Sequence, residues 1–456
     1  DDSPAAARAA GLQSIGIQPV IAPEPVATPP RRPRQQNFRS LERPVNTAVP
    51  LPAGDQLVNQ GLPAVLPPIR RTASQANPYD PIGLRLGPAL VFPTLDASIG
   101  YDSNPESVNS GQRKKGAVFA RTEASLIARS DLPSNEVTVD LRGGFSKFFG
   151  VEGADRPDAQ GRIGLRFDYT RDTAFDFELR GRIDTETPGT VNLVGGTQER
   201  PLTFQSGATA GVTQRFNRLA VSARATVDRS TFSDTTLAGG GILTQQDRNF
   251  TQYGLRLRTA YEITPGFVPF TEALVDTRRR DEAVDNAGFR RDSDGLQVRG
   301  GTSFEITRTL TGEVLAGYGI RRASDQRLRD LKGPVAEGTL AWSVSPLTTI
   351  RLRGATEFEE TTQAGSTGAI TRRITAEISH ALLRNLNLTA GTNFARSDFS
   401  GINRREDTVR SSLGFDYSLT PNAVIRGSYI NARTISSQAG NSISSNIFLF
   451  GGRLQF

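Results

Sequence analysis

The chain has 456 residues, a formal net charge of +7, one His, and neither Cys nor Met. Lack of Cys removes thiol chemistry, and a lone His removes histidine metal clusters and multi-histidine relays. Mean hydropathy is −0.36, and no apolar run approaches the ~20 residues of a membrane-spanning helix. The positive charge is carried almost entirely by Arg and suits phosphate-bearing lipid headgroups as well as nucleic acid.

Residues 1–82 hold more than half of the 27 Pro, in stretches such as "VIAPEPVATPPRRPRQQ". Proline removes ladder donors and breaks helices, so these residues are expected to form a disordered, Pro-rich arm. The missing initial Met reads as a processed form whose export signal has been removed.

From residue 83 onward the pattern changes to strict alternation. Over 118–129, Val118, Ala120, Thr122, Ala124, Leu126 and Ala128 share one parity, and Phe119, Arg121, Glu123, Ser125, Ile127 and Arg129 the other. Ile163, Leu165, Phe167 and Tyr169 oppose Arg162, Gly164, Arg166 and Asp168. Phe175, Phe177, Leu179, Gly181 and Ile183 oppose Asp176, Glu178, Arg180, Arg182 and Asp184. A period of two means β-strand, here with one apolar and one charged face. A soluble sandwich or solenoid would have to bury that charged face in a dry core, at prohibitive cost.

Short turns ("TRDTA", "RFNRL", "VSPLT", "LTPN") alternate with long polar loops ("DSNPESVNSGQRKKG", "TRRRDEAVDNAGFRRDSD"). That rhythm belongs to outer-membrane barrels, with long loops outside and tight turns in the periplasm. About nine long loops imply an antiparallel up-and-down transmembrane β-barrel of about 18 strands, 16 being the nearest even alternative. Aromatic residues support the topology. Tyr101, Phe145, Tyr318, Phe358, Phe394 and Tyr429 fall at the outer ends of outward strands. Tyr169, Phe216, Tyr261, Phe304, Trp342, Tyr417 and Phe456 fall at the inner ends of inward strands. Rings with an apolar body and a polar tip favour both membrane interfaces.

The charged parity is the candidate site. Arg121, Glu123, Arg142, Arg166, Asp168, Arg180, Arg182, Arg256, Arg258, Arg351, Arg353, Glu357, Glu359, Arg410 and Arg426 are expected to line the interior. A barrel of this size leaves an aqueous lumen, so these charges either select solutes or brace the wall, and both can hold at once. Lys147, on the lipid parity at the outer rim, and Arg278 and Arg279, assigned with Arg280 to an outer loop, are expected to contact lipopolysaccharide phosphates. His380 falls on the outward parity at the inner rim, an interface position, so no catalytic residue is expected. No metal ligand spacing is recognisable among the loop acids, and no cofactor is expected.

The first strand, "GLRLGPALVFPTLDASIGYDSNP", has Pro93 followed by alternation ending in Tyr101, Asp102, Ser103 and Asn104. It resembles the putative β-barrel porin 2 family of Gram-negative bacteria, and the resemblance spans residues 83–456. It implies an outer-membrane barrel, of a kind often associated with surface-polysaccharide systems, and names no substrate. The final strand, "FLFGGRLQF", resembles the C-terminal signal read by the barrel-insertion machinery. The expected partners are outer-membrane lipid, lipopolysaccharide, that machinery and a periplasmic partner of the arm, with no nucleic acid. The expected function is a channel passing or exporting polar solutes. A structural barrel that anchors a periplasmic or surface partner is the alternative, and an outer-membrane enzyme a distant third.

Overall fold

The computed structural model describes residues 78–456, apart from 112, 131, 133, 134, 187–199 and 237–240. The arm expected over 1–82 therefore lies, up to residue 77, outside the described residues.

Eighteen strands form the wall: β1 (Ala89–Asp102), β2 (Ala117–Ser130), β3 (Asn135–Phe148), β4 (Arg156–Asp168), β5 (Thr173–Thr185), β6 (Leu202–Phe216), β7 (Leu219–Phe232), β8 (Phe250–Tyr261), β9 (Phe267–Arg280), β10 (Ser293–Thr307), β11 (Leu310–Ala323), β12 (Leu331–Ser345), β13 (Thr348–Glu360), β14 (Gly368–Leu383), β15 (Leu386–Phe399), β16 (Arg405–Thr420), β17 (Ala423–Ser436) and β18 (Ile443–Gln455). Each pairs antiparallel with its neighbours in sequence, and β18 returns to β1 from Thr94↔Gln455 to Asp102↔Ile447. A closed sheet leaves no edge to satisfy in lipid. At the seam, a three-residue strand (Leu84–Leu86) pairs with Ala89–Val91 on the same edge of β1 that β18 occupies further along. The Phe456 amide donates to the Pro93 carbonyl (3.3 Å).

The two ends of the barrel differ. At the inner end, five turns have only two residues: 217–218, 308–309, 346–347, 384–385 and 421–422. Four of these follow a register shift one residue before the turn. In three, a hydroxyl at the shifted position accepts an amide from the turn: Thr309 to Thr307, Leu347 to Ser345 and Asn422 to Thr420, each 3.3 Å. Ser and Thr hydroxyls stand in for a backbone turn bond in this way. The outer end carries the longer connections. The largest of them, 233–249, holds a small hairpin (Thr235–Thr236 with Ile242–Leu243) and one turn of 3-10 helix (Gln246–Arg248).

The outward face is apolar and exposed, with Leu95, Ile99, Val118, Leu179, Leu257, Val298 and Leu413 on it. The inward face is polar and largely buried, as the alternation requires.

Candidate functional site: the barrel interior

The interior charges are not a loose lining. They are cross-braced, and glycines make the bracing possible. Neighbouring strands lie about 4.8 Å apart, so side chains two strands apart meet most directly over a position with no side chain. Arg121 on β2 reaches Asp158 on β4 (2.6 and 3.0 Å) over Gly144 on β3. Arg180 on β5 reaches Asp228 on β7 over Gly207 on β6 (Nε 3.0 Å). Arg224 on β7 returns to Asp176 on β5 (3.1 Å) over Gly211. Arg321 on β11 bonds Asp276 on β9 over Gly295 on β10. At the closing seam, Asp96 on β1 takes Arg453 from β18 (3.0 Å) and Arg426 from β17 (2.7 Å), and Arg426 also bonds Asp416 (2.7 Å).

All the residues expected to face inward stand on the inward parity. Arg121 also pairs with Glu123 (2.8 Å), which holds Arg142 (3.5 Å). Arg182 pairs with Asp184 (2.6 Å). Arg258 pairs with Glu313 (2.7 Å) and lies 3.5 Å over the Phe270 ring. Arg256 faces Glu272 (3.7 Å), Arg351 faces Glu377 (3.4 Å), and Arg373 lies between Glu357 and Glu359. Arg166 and Asp168 pair with each other (3.0 Å) at the exposed inner rim. Arg353 and Arg410 differ: among the described residues neither makes a hydrogen bond or an ion pair. They share one rung, Thr339–Arg353–Thr375–Asn393–Arg410 across β12 to β16. Between them Asn393 donates to Thr375 (2.8 Å). Beside this rung, an open chamber is lined by Asp96, Ser98, Arg121, Glu123, Glu377, Asp416 and Arg426.

The outer mouth departs from the expected plan. The β12–β13 ladder stops at Glu337↔Ala355. Beyond it, among the described residues, the ladder of residues 331–336 is with β11 and that of residues 356–360 with β14. The outer half of the β13–β14 hairpin has folded inward and forms a second layer on the inner face of β11 and β12. Gly319 and Gly333, paired across β11 and β12, are its seat: a Cβ on Gly319 would lie 2.9 Å from the Phe358 ring, and one on Gly333 3.7 Å from Ile370 Cδ1. Phe358 and Ile370 are themselves a cross-strand pair. The layer covers Leu331 and Val335 and buries its own tip, with Thr361, Ser366 and Ala369 at 0% exposure.

Arginines latch the tip. Glu360 accepts from Arg280 (3.3 Å), Arg321 (3.2 Å) and the Ser293 hydroxyl (2.6 Å) and forms an ion pair with Arg278 (3.2 Å). Arg291 donates to the carbonyls of Thr361 (2.7 Å), Gln363 (3.0 Å) and Ser366.

Two expectations are corrected here. Phe358 is not an outer-belt residue; it is turned inward onto Gly319. Arg278 and Arg280 are not loop residues facing lipopolysaccharide. Both sit at the end of β9 with side chains 3% and 4% exposed, paired with Glu360, because β9 runs to Arg280, four residues into the loop expected from Thr277. Lys147 and Arg279 do face outward, bonded to Asp155 (2.6 Å) and Asp294 (3.2 Å). Tyr101, Phe145, Tyr318, Phe394 and Tyr429 stand on the outward parity toward the loop end. Tyr169, Phe216, Tyr261, Phe304, Trp342, Tyr417 and Phe456 stand toward the turn end. His380 is also outward at the turn end, 2.9 Å from the Thr348 hydroxyl. Among the described residues no group of His, Asp and Glu is placed to hold a metal ion. Sequence reading missed the Glu360 latch. Its one local signal was Pro334, a residue without a ladder donor in the interior of a strand.

A closed barrel of even strand number, with an apolar wall, aromatic ends and a charged interior, is a porin-like barrel of the bacterial outer membrane. A family model described as "Putative beta-barrel porin 2" matches residues 77–456, and the chain belongs to that family. Among curated proteins none matches. Solved structures similar to it include a BenF-like porin from Pseudomonas fluorescens Pf-5 (9% identity, 81% of this chain and 100% of that one, TM-score 0.42). OccK2 (OpdF) from Pseudomonas aeruginosa matches at 10% identity over 81% and 98% of the two chains, TM-score 0.42. The siderophore receptor PiuA from Acinetobacter baumannii matches at 9% identity over 82% of each, TM-score 0.41.

Proposed function

We propose that this protein is a channel for small polar solutes across the outer membrane, with a preference for anions. The observation that carries this reading is the pair Arg353 and Arg410, inward cations without an ion partner among the described residues, on one rung beside the chamber. Neutralised pairs contribute little field, whereas an unneutralised guanidinium in a narrow wet passage concentrates anions. Small solutes are favoured over a polymer, because the inward hairpin lies over the inner face of β11 and β12. Polysaccharide export therefore remains an implication of family resemblance alone. The arm is assigned to the periplasm, since β1 runs from the turn end to the loop end. Lys147 and Arg279 are the candidate contacts for lipopolysaccharide.

The test is single-channel recording in planar bilayers under a KCl gradient. Anion-selective conductance is the expected result, and a folded protein that never conducts would return the reading to a structural barrel. One observation favours that second reading: the bracing and the latched hairpin fill the outer mouth on the β9–β14 side.

A further inference from the structure

We propose that Arg372, Arg396, Arg405 and Arg433, at the loop ends of β14 to β17, form a site on the outer wall for the diphosphorylated headgroup of lipopolysaccharide. The site is separate from Lys147 and Arg279. It rests on the barrel standing in the outer membrane with its loops outward, and it needs no conduction through the lumen.

Parity puts all four arginines on the lipid-facing side of the wall, and all four are exposed. On β14, Arg372 shares its face with Ile374, Ala376 and Ile378. On β15, Arg396 follows Phe394, and on β17, Arg433 follows Tyr429. Toward the turn end the same parity finishes on the exposed Leu382, Leu388 and Tyr417. Along β14 to β16, therefore, arginine stands at one interface of the wall and apolar groups at the other. Basic side chains clustered beside an apolar band attract anionic lipid.

The register concentrates the charge. Arg372 lies directly opposite Arg396, and Arg396 opposite Asp407. Like charges directly opposite destabilise a ladder, so packing of the sheet does not call for this pair. Asp398 accepts from Arg372 (2.8 Å) on one oxygen and from Arg405 (2.9 Å) on the other. Asp407 accepts from Arg396 on both oxygens (2.6 and 3.1 Å). Arg433 makes neither a hydrogen bond nor an ion pair among the described residues. Four arginines thus meet two acids. Each guanidinium has five N–H donors, so the acids orient the row and leave most of its donors, and its excess positive charge, to the lipid. The Arg396 guanidinium lies 5.8 Å over the Phe394 ring, which keeps its stem on the apolar belt and its charge at headgroup level.

The width of the row selects the occupant. Three strand spacings separate Arg372 from Arg433, roughly 14 Å. A single phosphodiester reaches one neighbouring pair of arginines, whereas a headgroup with two phosphates spans the row. Phosphate oxygens accept forked bonds from Arg in the same way as carboxylates.

Native mass spectrometry of the full chain in detergent tests the site, with the first lipid bound as the readout. The protein is titrated with diphosphoryl lipid A or phosphatidylglycerol, with and without millimolar inorganic phosphate. The expected result is about tenfold tighter binding of diphosphoryl lipid A than of phosphatidylglycerol. Arg433→Gln, which breaks no bond within the described protein, should weaken lipid A binding several-fold. Arg372→Gln with Arg396→Gln should weaken it about tenfold or more. Arg372→Lys with Arg396→Lys should recover only part, since an ammonium does not present the two donors of a fork. Heat-modifiable gel mobility verifies that each variant is folded. Equal affinity for phosphatidylglycerol, full displacement by inorganic phosphate, or unchanged lipid A affinity in both glutamine variants would overturn the proposal. So would a loss confined to Lys147→Gln with Arg279→Gln. Lipid A binding that depends on these arginines, in a barrel that never conducts, would uphold the site and sink the channel. Conductance with lipid A affinity indifferent to them would do the reverse.

Discussion

The ring of Phe358 lies on Gly319, although β12 runs between their strands in the wall. A Cβ at residue 319 would come within 2.9 Å of the ring. Only a glycine floor and an interrupted β12–β13 ladder allow that contact.

Gly319→Val should therefore dislodge the hairpin and leave the wall intact. Overpacking of this kind costs about 1–3 kcal/mol, and each ~1.4 kcal/mol is a tenfold change in population. Ser366, fully buried at the tip, is the reporter: Ser366→Cys should react slowly with an impermeant maleimide, and about tenfold faster once Gly319→Val is added. An unchanged labelling rate would mean that Phe358 does not hold the tip in place.

Selectivity should follow charge that is not neutralised. Arg353→Gln and Arg410→Gln should each move the reversal potential in a salt gradient toward cation preference. Arg351→Gln should move it less, because Arg351 is already paired with Glu377 (3.4 Å). A larger effect at Arg351 than at Arg353 would contradict this ordering.

The brace over Gly207 should be a stability element. Arg180→Leu strands Asp228 and weakens the surroundings of Glu178, both buried. Removing one partner of a buried pair costs about 3–5 kcal/mol, whereas removing both can be nearly neutral. The temperature of the heat-modifiable mobility shift should fall for Arg180→Leu and recover in part for Arg180→Leu with Asp228→Leu.

One outer-loop tie should resist mild acid. A side-chain bond from Arg327, with backbone amides of Arg327 and Arg290, holds the Asp325 carboxyl well below the usual carboxylate range. A depressed folded value means that the tie's contribution is present above the unfolded carboxyl value and is lost only as pH falls through the lower folded one. Hydrogen-exchange protection of the Arg290 amide, corrected for intrinsic pH dependence, should persist from neutrality through about pH 4, where a free carboxyl titrates. Asp325→Asn should reduce that protection across the whole range.

Much of this architecture is legible along the chain. Alternation with period two decides which side chains face in, because β-geometry leaves no other choice, and long and short connections alternate clearly enough to count the strands. Hence Arg121 and Arg426 fall on the inward parity and Trp342 on the outward one. Alternation is blind to what lies two or more strands away. Whether an inward Arg is neutralised depends on a glycine in the strand between, as with Gly207, and on register, as with Arg353, which has no ion partner among the described residues. The inward fold of β13–β14 is less visible still. Its parity is that of an ordinary wall strand, and only the meeting of Gly319, Gly333, Phe358 and Glu360 with the β9 arginines turns it into the mouth. Local pattern thus determined the wall, because strand facing is a property of neighbours in sequence. Tertiary structure alone decided the passage, because pairing across the barrel and occlusion of its mouth belong to residues that meet only when the sheet closes.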